Sequence, residues 1–350
     1  MAIAARFGGV ALVSQQPSMA QEEGAPGDEF AGLTAPYRRE LLVHCYRLAG
    51  SIHEAEDLVQ ETYLRAWRAY DRFEGRSSVR GWLYRIATNT CLTALRHRSA
   101  RVLPSGLAGP SDDPDQPLAL AGPGVAWIEP LPDSPASGLA ADPADVVATK
   151  GSVRLALTSA LQQLPARQRA VLILRDVLDW RASEVAELLD TTIPAVNSAL
   201  QRARARLERV APREEEVAEA AEPEQRRLVE RYAMALERAD MDRLLMRDDV
   251  TLEMPPHLTW FSGRDDVARF FDRTILRGEA GLYRLVPITA NGQPALAAYR
   301  REGDGQYHLH TLQVLTVTAT GVARIVAYLD PTLFVAFTLA PTLEGGPGRR

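Results

Sequence analysis

Nine of the chain's 23 prolines and five of its glycines fall between Ser99 and Thr149. Proline fixes φ and has no backbone N–H to donate, so neither a long helix nor a central strand runs through such a stretch. The 350 residues are therefore expected to form separate folded parts joined by a Pro/Gly-rich acidic linker, 99–149, mostly without regular structure. In that linker Arg101 stands against seven acids, a net charge of −6, while Lys150 to Val210 has ten basic and six acidic residues, +4. The whole chain carries −5, which excludes a uniformly basic nucleic-acid coat and confines any contact with a polyanion to a local patch.

The positive patch coincides with Trp180 to Leu207, a stretch with the plan of a helix-turn-helix. Ala182, Val185, Ala186 and Leu189 recur at helical spacing, as do Val196, Ala199, Leu200, Ala203 and Leu207, so each helix has one buried face. Thr191 and Thr192 supply cap oxygens, and Pro194 falls in the first turn of the second helix. The opposite face of that helix carries Asn197, Ser198, Gln201, Arg202 and Arg204, groups that bond base edges and phosphates in a major groove. Two positions depart from the ideal: Arg181 where a Ser or Thr cap would suit, and Asp190 where the tight turn usually has Gly. Taken alone, the stretch is also compatible with a plain helical hairpin.

Upstream, Asp28 to Arg98 reads as three amphipathic helices: Pro36–Leu48, Ile52–Tyr70, and one burying Trp82, Leu83, Ile86, Ala87, Leu92 and Leu95 that ends in the basic tip Arg96-His97-Arg98. The second leaves Asp57, Gln60 and Glu61 exposed together. Here EAEDLVQETYLRAW and RFEGRSSVRGWLYRIATNTCLTALRHR resemble domain 2 of bacterial sigma factors of the extracytoplasmic-function (ECF) group. LQQLPARQRAVLILRDVLDW with the helix-turn-helix resembles their domain 4. Thr93 departs from the pattern, which often has Asp there.

The resemblance implies two all-α domains, sigma domain 2 at 28–98 and sigma domain 4 at 150–210, and two macromolecular partners, RNA polymerase core and promoter DNA. Asp57, Gln60 and Glu61 would meet the clamp helices of the largest polymerase subunit, where an acidic patch suits an Arg-rich surface. Domain 4 would also contact the flap of the second large subunit. Phe73 would stack on a flipped base of the −10 element, with Arg76, Ser77 and Ser78 donating to base or phosphate and Arg80, Arg85, Asn89, Arg96 and Arg98 following the strand. Thr192, Ala195, Asn197, Ser198, Gln201 and Arg202 would form the −35 face. Within the linker, WIEPLPD at Trp127 to Asp133 resembles a short motif of sigma factors that carry an extra C-terminal domain.

Such a domain is expected at 223–340, after an acidic linker at 211–222 that includes Glu214-Glu215-Glu216. Two helices, Glu224–Arg238 and Asp240–Leu245, precede a strand at Val250–Met254, a helix at Asp265–Leu276, and strands at Leu282–Ala290, Ala295–Arg301, Tyr307–Thr318 and Val322–Tyr328. Asn291-Gly292 reads as a hairpin turn. This order and the WFSGRDDVARFF stretch resemble the SnoaL-like branch of the NTF2-like fold, an α+β cone. Its pocket would be lined by Tyr232, Glu253, His257, Trp260, His308, His310, Tyr328 and Asp330, with room for a small ligand.

No apolar run reaches the length of a membrane span. Cys45 and Cys91 lie in apolar helical patterns and read as buried thiols, not as a disulfide or metal site. Residues 1–27 read as disordered, with Met19 a possible start, and 341–350 as a disordered tail. The expectation is a cytoplasmic, non-enzymatic initiation factor without cofactor or metal, tuned by its C-terminal domain. A free-standing helix-turn-helix regulator and a sigma factor fused to a catalytic cyclase or isomerase are the alternatives.

Overall fold

The computed structural model describes residues 26–73, 75, 78–133, 154–210 and 222–344. The expected disordered termini, Arg76, Ser77, most of the second half of the Pro-rich segment and the run Glu214-Glu215-Glu216 lie outside the described residues, wholly or in large part.

The N-terminal part packs α1 (Pro26–Thr34), α2 (Arg38–Ala49), α3 (Ile52–Ala69) and α4 (Val79–Ala94) around Leu41, Tyr46, Leu58, Leu83 and Ala87. Gly50 ends α2 in the left-handed conformation, φ 74°, which glycine adopts without steric cost. Ser51 then caps α3 by accepting the Glu54 N–H at 3.1 Å. Cys45 and Cys91 are buried free thiols 3.6 Å apart.

The second part contains α5 (Leu155–Gln162), α6 (Ala166–Leu172), which runs on as a π turn to Val177, α7 (Ala182–Leu188) and α8 (Ile193–Val210). Val185, Ala186, Leu188, Val196, Leu200 and Ala203 meet in its core.

The third part opens with α9 (Glu222–Glu237) and forms a seven-stranded sheet. Its strands are β1 (Met246–Glu253), β2 (Trp260–Ser262), β3 (Tyr283–Ala290), β4 (Gln293–Arg301), β5 (Tyr307–Thr318), β6 (Gly321–Tyr328) and β7 (Thr342–Leu343). The order is β2-β1-β6-β5-β4-β3, with β7 on β5; β1 and β6 are parallel and the remaining pairs antiparallel. α10 (Arg264–Phe270), continued by a π turn to Leu276, packs with α9 on the sheet's inner face. This is the expected α+β cone.

Several local expectations are corrected. The helix expected at Asp240–Leu245 is only a 3-10 turn, Met241–Arg243, capped by Asp240, because the chain must enter β1 at Met246 to pair with Val322. Tertiary pairing overrides local helical preference there. The short β2 and β7 and α11 (Pro331–Ala336) have no counterpart in the sequence reading.

Alternate residues of the sheet go to two different cores. Leu252, Leu285, Leu296, Leu315 and Ile325 face α9 and α10, while Ala295, Ala297, Tyr299, Val314, Val326 and Tyr328 join the core of α2, α3 and α4. Side chains alternate across a strand, so an apolar run such as Ala295–Tyr299 marks a strand covered on both faces. Residues 99–133 contain little regular structure, yet they are folded into this assembly. Ile128 and Leu131 are buried in the shared core, and Val102 and Trp127 form an isolated bridge.

Candidate nucleic-acid interface

In the helix-turn-helix, Asp190 takes the left-handed conformation, φ 48°, and Thr191 donates its N–H to the Ala186 carbonyl at 2.9 Å. The Thr192 hydroxyl accepts the Ala195 N–H at 3.3 Å at the start of α8. Arg181 leaves α7 without a side-chain cap oxygen for the Glu184 N–H, but the Glu184 carboxylate accepts the Arg181 N–H at 2.7 Å, the other half of a capping box. With Val196, Leu200 and Ala203 turned inward, Thr192, Ala195, Asn197, Ser198, Gln201 and Arg202 form one exposed face. Arg202 donates to the Ser198 hydroxyl at 2.6 Å. Arg204 is drawn off to the side by a two-pronged pair with Asp176, at 2.7 and 2.9 Å.

The residues expected at the −10 element are differently disposed. Phe73 is half-buried against Trp82, ring centres 4.6 Å apart, and Ser78 caps α4 by accepting the Gly81 N–H at 3.1 Å. Arg80 is paired with Glu40 at 2.7 Å and lies 5.1 Å over the Tyr84 ring. Arg85 reaches out of α4 to Glu187 on α7, at 2.5 Å. Arg98 is paired with the buried Glu54. Asn89 and Arg96 are exposed. Three of these arginines are thus already bound to carboxylates of the same chain, and the Arg85 pair crosses from one helical domain to the other. Glu40, Glu54 and Glu187 were not singled out from sequence, and the Arg85–Glu187 pair joins residues 102 apart in the chain.

On α3, Asp57 and Gln60 are exposed, and Glu61, half-exposed, pairs with Arg65 at 2.7 Å. Leu64 and Trp67, 51% and 44% exposed, continue the same face.

Besides the Arg85–Glu187 pair, two junctions among the described residues bind the parts more closely. In the first, the Arg169 guanidinium of α6, 4% exposed, donates to the carbonyls of Leu48, Leu161, Gln162 and Leu164 and to the Gln162 side chain. In the second, the β3–β4 turn enters the N-terminal part. Asn291 and Gly292, φ 58° and 66°, make the tight turn expected of Asn-Gly. Asn291 is fully buried; its amide donates to the Tyr46 hydroxyl at 2.7 Å and accepts the Leu131 N–H at 2.8 Å. Tyr46 in turn donates to the Glu129 carbonyl at 2.7 Å, the Gly292 N–H goes to Asp133, and Arg39 donates to the Pro132 and Asp133 carbonyls. The WIEPLPD segment is therefore clamped between the turn and α2. Further back, Ser111, Ala119 and Ala121 donate backbone N–H groups to Trp260, Thr259 and Pro256.

In the cone, a cavity of about 60 Å³ is walled by Leu236, Leu252, Phe271, Tyr283, His310 and Gln313 among others, and no carboxylate lines it among the described residues. Of the eight candidates, only His310 lies on its wall. Burial, with Arg300 nearby, lowers the His310 pKa below its ordinary value and favours the neutral ring. Glu253 points elsewhere: it is 1% exposed, paired with Arg324, and accepts the Ser105 N–H at 2.9 Å. His257 contacts the Met254 carbonyl, Trp260 donates to the Ala108 carbonyl, and His308 pairs with Asp304. Asp330 caps α11, Tyr232 lies 3.4 Å from the Gln313 side chain, and the buried Tyr328 hydroxyl has no partner among the described residues. A strand's alternation cannot say which polar side chain meets a cavity and which meets a neighbouring loop.

Residues 33–101 match the sigma-70 region 2 family and residues 154–207 the sigma-70 region 4 family. The chain is 49% identical over 326 residues to the ECF RNA polymerase sigma factor SigG of Mycobacterium tuberculosis, covering 91% of this chain and 87% of that one. This chain is an ECF RNA polymerase sigma factor. It is also 29% identical over 181 residues to the sigma factor SigW of Bacillus subtilis, covering 51% of this chain and 86% of that one. The crystal structure of the M. tuberculosis ECF sigma factor SigJ superposes with a TM-score of 0.57 at 24% identity, over 89% of this chain and 98% of that one, which establishes the common fold. A sigma factor works with RNA polymerase core and promoter DNA. No helix among the described residues is long and apolar enough to cross a membrane.

Proposed function

We propose that this sigma factor is held in a closed arrangement by its C-terminal domain and opens to engage polymerase. In the engaged form α8 reads the −35 element through Thr192, Ala195, Asn197, Ser198, Gln201 and Arg202. The loop at Phe73 to Ser78, with Arg80, Arg85, Asn89, Arg96 and Arg98, takes the −10 strand. Asp57, Gln60 and Glu61 dock on the clamp helices of the largest subunit and domain 4 on the flap of the second, in the cytoplasm where polymerase works. The domain limits proposed are 28–98, 150–210 and 223–340, with the connecting segments between them.

The observation that carries the closed form is the Arg85–Glu187 pair, which commits a strand-binding arginine to a carboxylate of the other DNA-binding domain. The buried Asn291 turn, touching Tyr46 and Leu131 together, supports the C-terminal domain as the element that holds this arrangement. The cone's cavity is largely apolar, and no carboxylate among the described residues faces His310, which favours a small apolar ligand over acid/base catalysis. Run-off transcription with polymerase core and full-length chain, compared with a chain ending after residue 222, tests the reading. Altered promoter-dependent output is expected, and identical output would make the C-terminal domain a passenger.

A further inference from the structure

Where the two helical domains and the connecting segment meet, a cleft of about 480 Å³ opens. Its walls include Arg98 at the end of the first domain, Arg101 on the connecting segment, and Arg169 and Arg206 of the second domain. Against these four guanidinium groups the described lining residues offer one carboxylate, Glu54, and both Arg98 and Arg101 already use it. Glu129 adds a second acid 3.6 Å from Arg101.

Arg169 is the unusual member. It is nearly fully buried, and every one of its hydrogen bonds goes to a neutral carbonyl oxygen; the carboxylate whose charge reaches it is Glu54, which Arg98 and Arg101 already share. Arg206 makes no hydrogen bond or ion pair with any described residue. On the same wall Gln162 is 3% exposed, and its side-chain N–H₂ group has no acceptor among the described residues. Buried donors ordinarily find a partner. A cleft with surplus positive charge and an unused buried donor is built to receive an acceptor-rich anion.

We propose that this cleft binds a small phosphate-rich anion of nucleotide size. Guanidinium groups match phosphate oxygens in charge and geometry. The volume lies within the usual range for small-molecule sites, about 300–1,000 Å³, and is too small for duplex nucleic acid. Because its arginines come from three parts of the chain, the bound anion ties those parts together and favours the closed arrangement, by as much as it prefers that arrangement.

The test uses the full-length chain and two probes, inorganic tripolyphosphate and ATP, titrated by calorimetry without magnesium at roughly physiological ionic strength, where exposed charges are screened. Saturable one-to-one binding is expected. Arg206→Glu weakens it by about tenfold or more, the scale of one lost charge-assisted contact. Arg202→Glu, on the exposed face of the same helix, leaves it unchanged. Tighter binding of ATP than of tripolyphosphate means that the nucleoside is also recognised, and equal binding means that the phosphates alone are. Arg206 has no partner among the described residues, so the unliganded melting temperature of Arg206→Glu should match that of the parent and exclude misfolding. Absence of saturable binding, indifference to Arg206→Glu, or an equal loss in Arg202→Glu overturns the proposal.

Discussion

Replacing Asn291 by glycine isolates the turn that joins the C-terminal domain to the rest. Glycine accepts the φ of 58° without strain, so the β3–β4 turn persists while the side chain's hydrogen bonds to Leu131 and Tyr46 disappear. The Leu131 N–H, 2.8 Å from the Asn291 oxygen, is then left buried without an acceptor. That costs about 1–3 kcal/mol, and the lost donation to Tyr46 adds about 1 kcal/mol. Tyr46 keeps its bond to the Glu129 carbonyl, so its own penalty stays at the low end. A total of roughly 2–4 kcal/mol shifts the docked-to-undocked ratio by a factor of about 30 to 1,000. Hydrogen exchange read on the segment from Ile128 to Asp133 and on α2 should accelerate in Asn291→Gly, while exchange in the α9–α10 core stays as in the parent. Unchanged exchange in the first two segments would refute the turn as a latch, and faster exchange throughout would show that the cone itself had been damaged.

Other consequences are more local. Glu187→Gln removes the Arg85 pair from the closed form; because exposed pairs contribute about 0–1 kcal/mol, the chain's affinity for polymerase core should rise by no more than about fivefold in a capture titration. A fall in affinity would count against the pair as a lock on the closed form. Asp57→Arg should abolish capture of polymerase core with the melting temperature unchanged, and retained capture would remove that face from the docking surface. His44 is fully buried, and burial, with Arg47 close by, lowers its pKa to about 3. Its Nε2 lies 2.9 Å from a Thr88 hydroxyl that already donates to the Tyr84 carbonyl, so Nε2 carries the proton and the ring is neutral. The unfolded chain binds a proton below about pH 6.5 that the folded chain refuses, so stability falls as pH drops from there toward about 3. Denaturant titrations between pH 7.5 and 5 should show this acid loss, and it should be smaller in His44→Gln; identical pH slopes would contradict the assignment.

Much of the scaffold is legible in the residues. The apolar stripe of α3, the two faces of the helix-turn-helix and the Asn-Gly hairpin follow from periodicity and turn chemistry, because these depend on neighbours a few positions away. What escaped depends on distant partners. Ala295 to Tyr299 reads as a continuous apolar run, and such a run implies cover on both faces, but nothing in it says that one cover is α2 of another domain. Among the residues expected at the −10 element, residue type gives the charge of each side chain, while the carboxylates that hold Arg80, Arg85 and Arg98 come from three other elements. In the cone, alternation brought forward His308, His310 and Tyr328 together, and the fold sends only His310 to the cavity. The Pro-rich segment shows the same limit: composition foretells little regular structure, but backbone groups without helical or sheet partners still dock when turns and side chains elsewhere complete their hydrogen bonds.

Run-off transcription with purified polymerase core on genomic promoter fragments separates a polymerase-dependent initiation factor from a free-standing DNA binder. Full-length chain added to core should yield discrete transcripts that core alone does not make, and it should bind the same fragments weakly by itself. Tight binding of promoter DNA by the isolated chain, with no new transcript on adding core, would contradict the account.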